Sequence, residues 1–136
     1  MKKTCAICGR LKDESWFYAG TAKCKPCYIE NRRVYSKTVP GLIAQIHSSQ
    51  VASSKQRKHN QPAYNKEELE NWMRNQTNFN EIYADWQNSG YTKDLRPSVD
   101  RLDDDEPYYF GNIQLLTWYQ HKYKARKGMK ADGEFY

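Results

Sequence analysis

Hydrophobic side chains between residues 39 and 90 recur at helical spacing in three runs, which predicts three amphipathic helices. The first begins at Val39, with Pro40 suited to a first turn, and its apolar stripe consists of Leu42, Ile43, Ile46 and Val51. The second follows Asn65 as N-cap and buries Leu69, Trp72 and Met73. The third extends from about Asn78 to Asn88 and buries Phe79, Ile82, Tyr83 and Trp86. The last two helices are expected to form a packing platform.

The stripe of the first helix fades into a polar and basic segment, residues 53–62, which ends at a proline. Such a segment is typical of an exposed connector or of an arm that contacts DNA. Its candidate DNA-binding residues are Lys55, Arg57 and Lys58.

Four cysteines form two pairs, Cys5 with Cys8 and Cys24 with Cys27, with fifteen residues between the pairs. This spacing is that of a four-thiolate zinc site, and residues 1–37 hold too few aliphatic side chains for a core without the metal. The alternative is two disulfides, but no apolar leader follows Met1 to direct the chain to an oxidising compartment. We therefore predict one structural Zn²⁺, followed by a basic helix from about Tyr28 to Lys37. No apolar stretch is long enough to span a membrane, so the chain is expected to be soluble and intracellular.

The net charge of +6 is unevenly distributed along the chain. Residues 1–37 carry nine Lys or Arg against three Asp or Glu, whereas residues 65–116 carry five against eleven. A basic frame around an acidic centre suits a protein that holds phosphates with its flanks and a metal ion with its middle. The alternative is a set of solvated charged faces.

The last third of the chain carries the most specific pattern. Residues 112–124 read NIQLLTWYQHKYK, which resembles the second half of the HNH motif, NLxxLCxxCHxxK. The chain is therefore similar to HNH (His-Me finger) endonucleases of the kind often found in phage genomes. The two cysteines of many family members are replaced here by Thr117 and Gln120, so the amino-terminal module holds the only zinc.

The resemblance implies an α+β fold with three parts: a four-cysteine zinc module (1–37), a helical connector and platform (38–95) and a ββα-metal finger (96–136). The finger would consist of a strand from Ser98 to Leu102, a strand from Ile113 to Leu116, and a helix from Trp118 to about Arg126. In the family's metal site, Asp100 and His121 would hold a catalytic Mg²⁺ or Mn²⁺. An asparagine at the position of Asn112 would brace the loop.

Arg101 stands where the family places its general-base histidine, and a guanidinium cannot accept a proton at ordinary pH. We expect Arg101 to clamp the scissile phosphate instead. The base would then be Asp103, another carboxylate of the run 103–106, His59, or bulk solvent activated by the metal ion. The five acidic groups among residues 100–106 would repel DNA unless a divalent ion neutralised part of their charge, although an exposed acidic turn would show the same composition.

The amino-terminal module, with its Trp-Phe-Tyr cluster and an Asn-Arg-Arg segment after the last cysteine, looks like the zinc modules attached to phage HNH proteins. Arg32 and Arg33 on its helix, and Lys124 in the finger, are further candidate DNA-binding residues. The expected partner is double-stranded DNA, bound by a monomer in the host bacterial cytoplasm if the chain is phage-encoded.

Three functions are compatible with this pattern. The leading prediction is a metal-dependent DNA endonuclease or nickase, with a homing or packaging role as the family resemblance implies. The second is a DNA-binding regulator that has kept the fold and lost catalysis. The third is an interaction protein that acts through its zinc module. A monomer with one finger is expected to nick, because one metal centre reaches one phosphate at a time.

Overall fold

The computed structural model describes the backbone of residues 1–127 and the side chains of residues 1–123. It is a mixed α+β structure with five helices and two small antiparallel sheets. The strands are β1 (Lys2–Thr4), β2 (Leu11–Asp13), β3 (Pro97–Arg101) and β4 (Ile113–Thr117). The helices are α1 (Lys25–Tyr35), α2 (Val39–Arg57), α3 (Lys66–Arg74), α4 (Phe79–Asn88) and α5 (Trp118–Lys127). The chain divides into two compact units, Met1–Leu42 and the part from Ile43 onward.

The first unit is built around its cysteines. β1 pairs with β2, and α1 follows the second cysteine pair directly. The buried cluster of this unit consists of Cys5, Phe17 and Cys24, with Cys27 packed against it. Helix α1 begins three residues earlier than predicted, because Cys24 is its N-cap and Pro26 lies in its first turn, where a proline needs no hydrogen bond.

Gly41, in the first turn of α2, lies against the last turn of α1. A Cβ at this position would be 1.9 Å from the Tyr35 carbonyl oxygen, which is backbone and cannot swing aside. We expect Gly41→Ala to destabilise the zinc-loaded protein by about 2 kcal/mol or more, as overpacking does. The midpoint of urea unfolding measures the loss. Gly111→Ala is the matched control, since its nearest neighbour is a tyrosine side chain at 3.2 Å; equal losses in the two variants would contradict the expectation.

Helix α2 is longer than predicted. It continues through the polar segment to Arg57, where Lys58 takes a left-handed conformation with φ of 59°. The His59 N–H then donates to the Ser54 carbonyl and the Lys58 N–H to the Lys55 carbonyl, which is a Schellman motif. Lysine, glutamine and arginine are good helix formers, so polarity alone did not mark a helix end. The exposed connector is therefore shorter than the segment 53–62.

The buried face of α2 also differs in composition from the predicted stripe. Ile43 and Ile46 are buried as predicted, but Gln50 and Ser54 continue the face, and Val51 is only half-buried. The Tyr64 hydroxyl donates to the Gln50 Oε1 at 2.9 Å. Burial raises the pKa of the Tyr64 hydroxyl above its usual range.

Helices α3 and α4 occupy the predicted positions. Asn65 caps α3 with a full capping box, in which its side chain accepts from the Glu68 N–H and the Glu68 side chain accepts from the Asn65 N–H. Their buried residues are Leu69, Met73, Phe79, Ile82 and Trp86. Trp72 is half-buried and stacks on Phe110, with ring centroids 6.4 Å apart.

β3 and β4 form an antiparallel hairpin in which Asp100 lies opposite Gln114. All five residues of β3 are buried, while Leu102, which was expected to end the strand, is 44% exposed. α5 contacts both strands, and α4 packs on the same hairpin. No helix in the described part of the chain is both long and apolar enough to cross a membrane.

α5 begins with a second capping box. The Thr117 Oγ1 accepts from the Gln120 N–H at 3.1 Å, and the Gln120 Oε1 accepts from the Thr117 N–H at 3.0 Å. These are the two positions at which many HNH proteins have cysteines. Two reciprocal hydrogen bonds therefore define the start of α5 and, one turn later, the position of His121.

Candidate functional site

The four cysteines of the first unit form a cluster that could hold a metal ion such as zinc. Their sulfur atoms all lie within 4.8 Å of one another, and the Cys8 and Cys24 sulfurs are 3.9 Å apart. Sulfurs that surround one zinc at about 2.3 Å in a tetrahedron lie roughly 3.8 Å from each other. Among the residues that the structure describes, this is the only group of three or more His, Cys, Asp or Glu side chains close enough to share a metal ion.

Backbone N–H groups favour the thiolate form of two of these cysteines. The Cys5 sulfur accepts from the N–H groups of Cys24, Cys8 and Ile7 at 3.3 to 3.4 Å. These bonds, with that from Cys24 the strongest, lower the pKa of Cys5 to about 5. The Cys27 N–H, in the first turn of α1, lowers the pKa of Cys24.

The fourth thiol has the opposite tendency. The pKa of Cys27 is raised to about 12, and the largest cause is the hydrogen bond between the side chains of Cys27 and Cys24. Lys12 approaches from β2, and its Nζ lies 3.4 Å from the Cys24 sulfur. The environment thus favours the thiolate at Cys5 and Cys24 and the protonated thiol at Cys27, and a bound metal ion would replace the Cys27 proton.

The two predicted DNA-binding arginines of α1 are exposed but differ in their contacts. Arg33 forms an ion pair with Glu30 at 3.2 Å, and this pair raises the pKa of Arg33 and lowers that of Glu30. Arg32 lies over the Tyr28 ring, 5.9 Å from its centroid. Glu30 therefore compensates part of the positive charge of Arg33, whereas no described carboxylate forms an ion pair with Arg32.

Asp100 and His121 lie together in the second unit. Asp100 is on β3 and 6% exposed, and its Oδ1 lies 3.3 Å from the Nε2 of His121 on α5. The antiparallel register directs Asp100 toward the helix that follows the hairpin, and the capping box at Thr117 starts that helix one turn before His121. Two residues twenty-one positions apart in sequence therefore present one carboxylate and one imidazole to the same point.

Two further side chains hold this pair, and neither was predicted. The Ser98 Oγ lies 2.8 Å from the Nδ1 of His121, and the Gln114 Nε2 donates to the Asp100 Oδ2 at 3.5 Å. Ser98 could have been found from strand alternation, because residues two apart on a strand share a face. Gln114 depends on the cross-strand register, which sequence spacing alone does not show.

Asn112 is buried and closes the loop between the two strands. Its Oδ1 accepts from the Asp103 N–H at 2.8 Å, and its Nδ2 donates to the carbonyl oxygens of Asp103 and Pro107 at 3.1 and 2.9 Å, with Glu106 at 3.4 Å. One carboxamide thus satisfies backbone groups along residues 103–107. The acidic run is held as a compact loop whose side chains remain exposed.

Arg101 has partners other than those expected of a phosphate clamp. It is 6% exposed, and its Nη1 donates to the carbonyl oxygens of Asp104 and Glu106 at 2.6 and 3.1 Å. Its guanidinium lies over the Tyr108 ring, 5.3 Å from the centroid. Although Arg101 borders the same cleft as Asp100, these bonds direct its Nη1 to the loop backbone.

His59 and Asp103, two other candidates for the general base, differ in their position relative to the cleft. The Nδ1 of His59 lies 3.3 Å from the Arg101 Nη1 and must accept this bond, since arginine can only donate. His59 does not line the cleft, whereas Asp103 does. The Asp103 Oδ1 accepts from the Asp105 N–H at 2.9 Å, so one of its carboxylate oxygens is engaged in the turn of its own loop.

A cleft of about 990 Å³ lies in the second unit with Asp100 and His121 among its lining residues. β3 and the acidic loop line it together with one face of α2, which contributes Ile46, Ser49, Gln50, Ser53 and Arg57. Of the other predicted DNA-binding residues, Lys55 and Lys58 are exposed at the end of α2 and do not line the cleft. The side chain of Lys124 lies outside the described residues.

The cleft thus brings a carboxylate–imidazole pair, an acidic loop and three arginines, Arg57, Arg96 and Arg101, to one surface of the second unit. The first unit presents a four-cysteine cluster. No protein family, curated protein or solved structure matches the chain, so the geometry of its own residues carries the functional interpretation.

Proposed function

We propose that this protein is a metal-dependent DNA endonuclease or nickase of the HNH type, which hydrolyses phosphodiester bonds in the cleft of the second unit. The observation that carries the proposal is the approach of the Asp100 Oδ1 to the His121 Nε2, 3.3 Å apart on a hairpin and the helix that follows it. The motif resemblance selects the same two residues as metal ligands, and the fold brings them together.

The spacing of this pair suits a hard divalent cation. Two ligand atoms about 2.1 Å from a Mg²⁺ ion at adjacent corners of an octahedron lie roughly 3.0 Å apart. Such ions are held by one or two protein carboxylates and complete their shell with water and substrate phosphates. A bound Mg²⁺ or Mn²⁺ would supply stabilisation of the charge that develops on the phosphate and leaving oxygens.

The side chains around the pair have distinct roles in this proposal. If the His121 Nε2 serves as a ligand, its Nδ1 carries the hydrogen and donates it to the Ser98 Oγ, which fixes the ring. Gln114 orients the second oxygen of Asp100. Asn112 and Arg101 maintain the acidic loop at the rim through its backbone carbonyls. Asp103, the loop carboxylate nearest in sequence to the pair, is the leading candidate for the general base.

The first unit would serve as a DNA-binding module in the same proposal. It carries nine Lys or Arg against three Asp or Glu, while the part of the chain from residue 43 onward is balanced at thirteen of each. Affinity for a polyanion is therefore concentrated in the zinc module. Arg32, which has no ion-pair partner among the described residues, is the residue of α1 most suited to a phosphate contact.

A DNA-binding protein that does not cut is the second candidate. The observation that favours it is Arg101, which stands at the place of the family's base and gives its Nη1 hydrogens to loop carbonyls. An arginine in this arrangement stabilises the loop without accepting a proton from water. The two candidates differ in one measurable respect, which is cleavage.

Cleavage is tested with supercoiled plasmid and zinc-loaded protein, with and without Mg²⁺ or Mn²⁺. We expect ion-dependent conversion to the open-circular form. Asp100→Ala and His121→Ala should each slow it more than about a hundredfold, because changes to residues that merely support metal ligands already cost roughly 10–100-fold. Asp85→Ala, an exposed carboxylate on α4, is the control and should cut normally. Plasmid that is retarded on a gel but never nicked would select the non-cutting candidate.

A further inference from the structure

Helix α2 lines one side of the cleft and carries no residue of the motif. Ser49, Ser53 and Arg57 follow one another at intervals of four along this side, so they lie on one face of the helix. Arg96, immediately before β3, lines the same cleft. These two arginines, together with Arg101, therefore border a cleft that also contains Asp100, Asp103, Asp104 and Asp105.

Neutral side chains, not carboxylates, hold the two arginines. The Arg96 Nη2 donates to the Gln45 Oε1 at 2.9 Å, and the Arg57 Nη1 donates to the Ser53 Oγ. Neither arginine forms an ion pair with any described residue. The cleft is lined by four aspartates, yet neither arginine forms a close ion pair with any of them.

The lack of an ion pair is most unfavourable at Arg96, because this side chain is partly removed from water. Its side chain is half-buried, and burial lowers its pKa below the usual value although the guanidinium stays charged at ordinary pH. A desolvated cation without a counter-charge is unfavourable unless an anion restores the lost interactions. The rigid fork of a guanidinium matches two oxygens of a phosphate group, which makes a phosphate the fitting anion.

We propose that Arg57 and Arg96 are phosphate-binding residues that hold the backbone of a DNA strand in the cleft. This inference rests on the proposed function and deepens it, since it names the groups that receive the substrate. The acidic loop repels the strand and the two arginines attract it, so together they set the path of the backbone past Asp100 and His121. A cleft of about 990 Å³ is at the upper limit of small-molecule pockets, roughly 300–1,000 Å³, and has room for a short stretch of strand.

The alternative cations in this region are less suited to the task. Arg101 directs its Nη1 to the carbonyl oxygens of the loop. Lys122 pairs with Asp94 at 2.7 Å. The cleft therefore has two arginines whose described side-chain partners are uncharged, and both are available to a polyanion.

The test measures the affinity of zinc-loaded protein for a fluorescent 20-bp duplex across a range of salt concentrations, without added Mg²⁺ or Mn²⁺. We expect Arg57→Gln and Arg96→Gln each to weaken binding about tenfold and to lower the slope of log K against log salt by about one, which is the signature of one lost phosphate contact. Lys66→Gln removes the same charge from an exposed position outside the cleft and should change neither quantity appreciably.

Arg96→Lys separates a role in binding from a role in folding. It keeps the charge and should retain most of the salt slope while losing affinity, because lysine lacks the bidentate fork. Thermal melting of each variant checks that the unit still folds, and Arg57→Gln, a change at an exposed position, should leave the melt unchanged. Affinities and slopes for both glutamine variants equal to those of Lys66→Gln would overturn the inference.

The plasmid assay distinguishes failure of this inference from failure of the proposed function. Nicking by the parent, together with glutamine variants that bind like Lys66→Gln, would remove the two arginines from the substrate path and leave the endonuclease standing. Weakened binding in the arginine variants of a protein that never nicks would establish the two phosphate contacts and remove the enzyme. A parent that neither binds the duplex nor nicks the plasmid would refute both.

Discussion

Removal of zinc is expected to unfold the first unit and leave the second folded. Apart from Val39 and Leu42 at the start of α2, the buried hydrophobic residues of the first unit are Phe17 and two cysteines, so without the metal residues 1–37 have almost no apolar core. Structural zinc contributes an apparent ~10–16 kcal/mol to such modules at neutral pH, which exceeds the stability of most small domains. Treatment with a strong chelator should therefore abolish the dispersion of the amide NMR signals of residues 1–37, while those of residues 43–127 keep theirs.

The metal content gives the second readout of this prediction. The purified protein should contain one zinc per chain, and Cys24→Ala, which removes a fully buried ligand, should contain less and lose the same set of amide signals. Addition of Zn²⁺ to the chelated parent should restore them, and addition of Mg²⁺ should not, because thiolates prefer the softer ion. Protected amides in residues 1–37 of the metal-free protein would show that the cysteines are not what holds this module together.

Replacement of Asn112 by alanine should strongly destabilise the second unit. Asn112 is 3% exposed, and its carboxamide satisfies one backbone N–H and at least two carbonyl oxygens of the acidic loop. Each backbone group left without a partner costs about 1–3 kcal/mol, less where water can reach it. We expect a loss of about 3–4 kcal/mol in the free energy of unfolding, measured by urea titration with tryptophan fluorescence.

Asn78→Ala is the matched control for this change. Asn78 is half-buried and makes one side-chain hydrogen bond, from its Nδ2 to the Leu115 carbonyl at 3.1 Å. Its removal should cost about 1 kcal/mol. Hydrogen exchange of the Asp103 amide should accelerate in Asn112→Ala and stay unchanged in Asn78→Ala. A loss in the Asn112 variant no greater than in the control would mean that Asn112 does not hold the loop.

Local patterns in the sequence were sufficient for most of the fold. The cysteine spacing predicted the four-thiolate cluster, and the apolar periodicity predicted α3 and α4, because both depend on residues that are close in sequence. The hairpin and α5 also lie within one residue of their predicted bounds at most ends. The end of α2 was missed because a Schellman motif at Lys58 depends on one left-handed residue that no apolar pattern marks.

The candidate site was harder to predict where partners come from different elements. The resemblance to the HNH motif implied that Asp100 and His121 lie together, but it did not indicate the surroundings of Arg101. Whether an arginine at this position faces a ligand or its own loop depends on the path of residues 103–107. Arg96 was missed for a related reason, since its significance arises only from sharing a cleft with a helix about fifty residues earlier.

Because a capping box at Thr117 and Gln120 stands where cysteines could have been, the two units should differ in their sensitivity to oxidation and to soft metal ions. All four cysteines of the chain lie within residues 1–27, and a hydroxyl and a carboxamide close the turn before His121. Peroxide, which oxidises thiolates, and soft ions such as Cd²⁺ or Cu⁺, which compete for them, therefore have their targets in the first unit. The Asp100–His121 pair has no thiolate within its own unit to be oxidised or captured, so stress of either kind would disable the zinc module and spare the cleft.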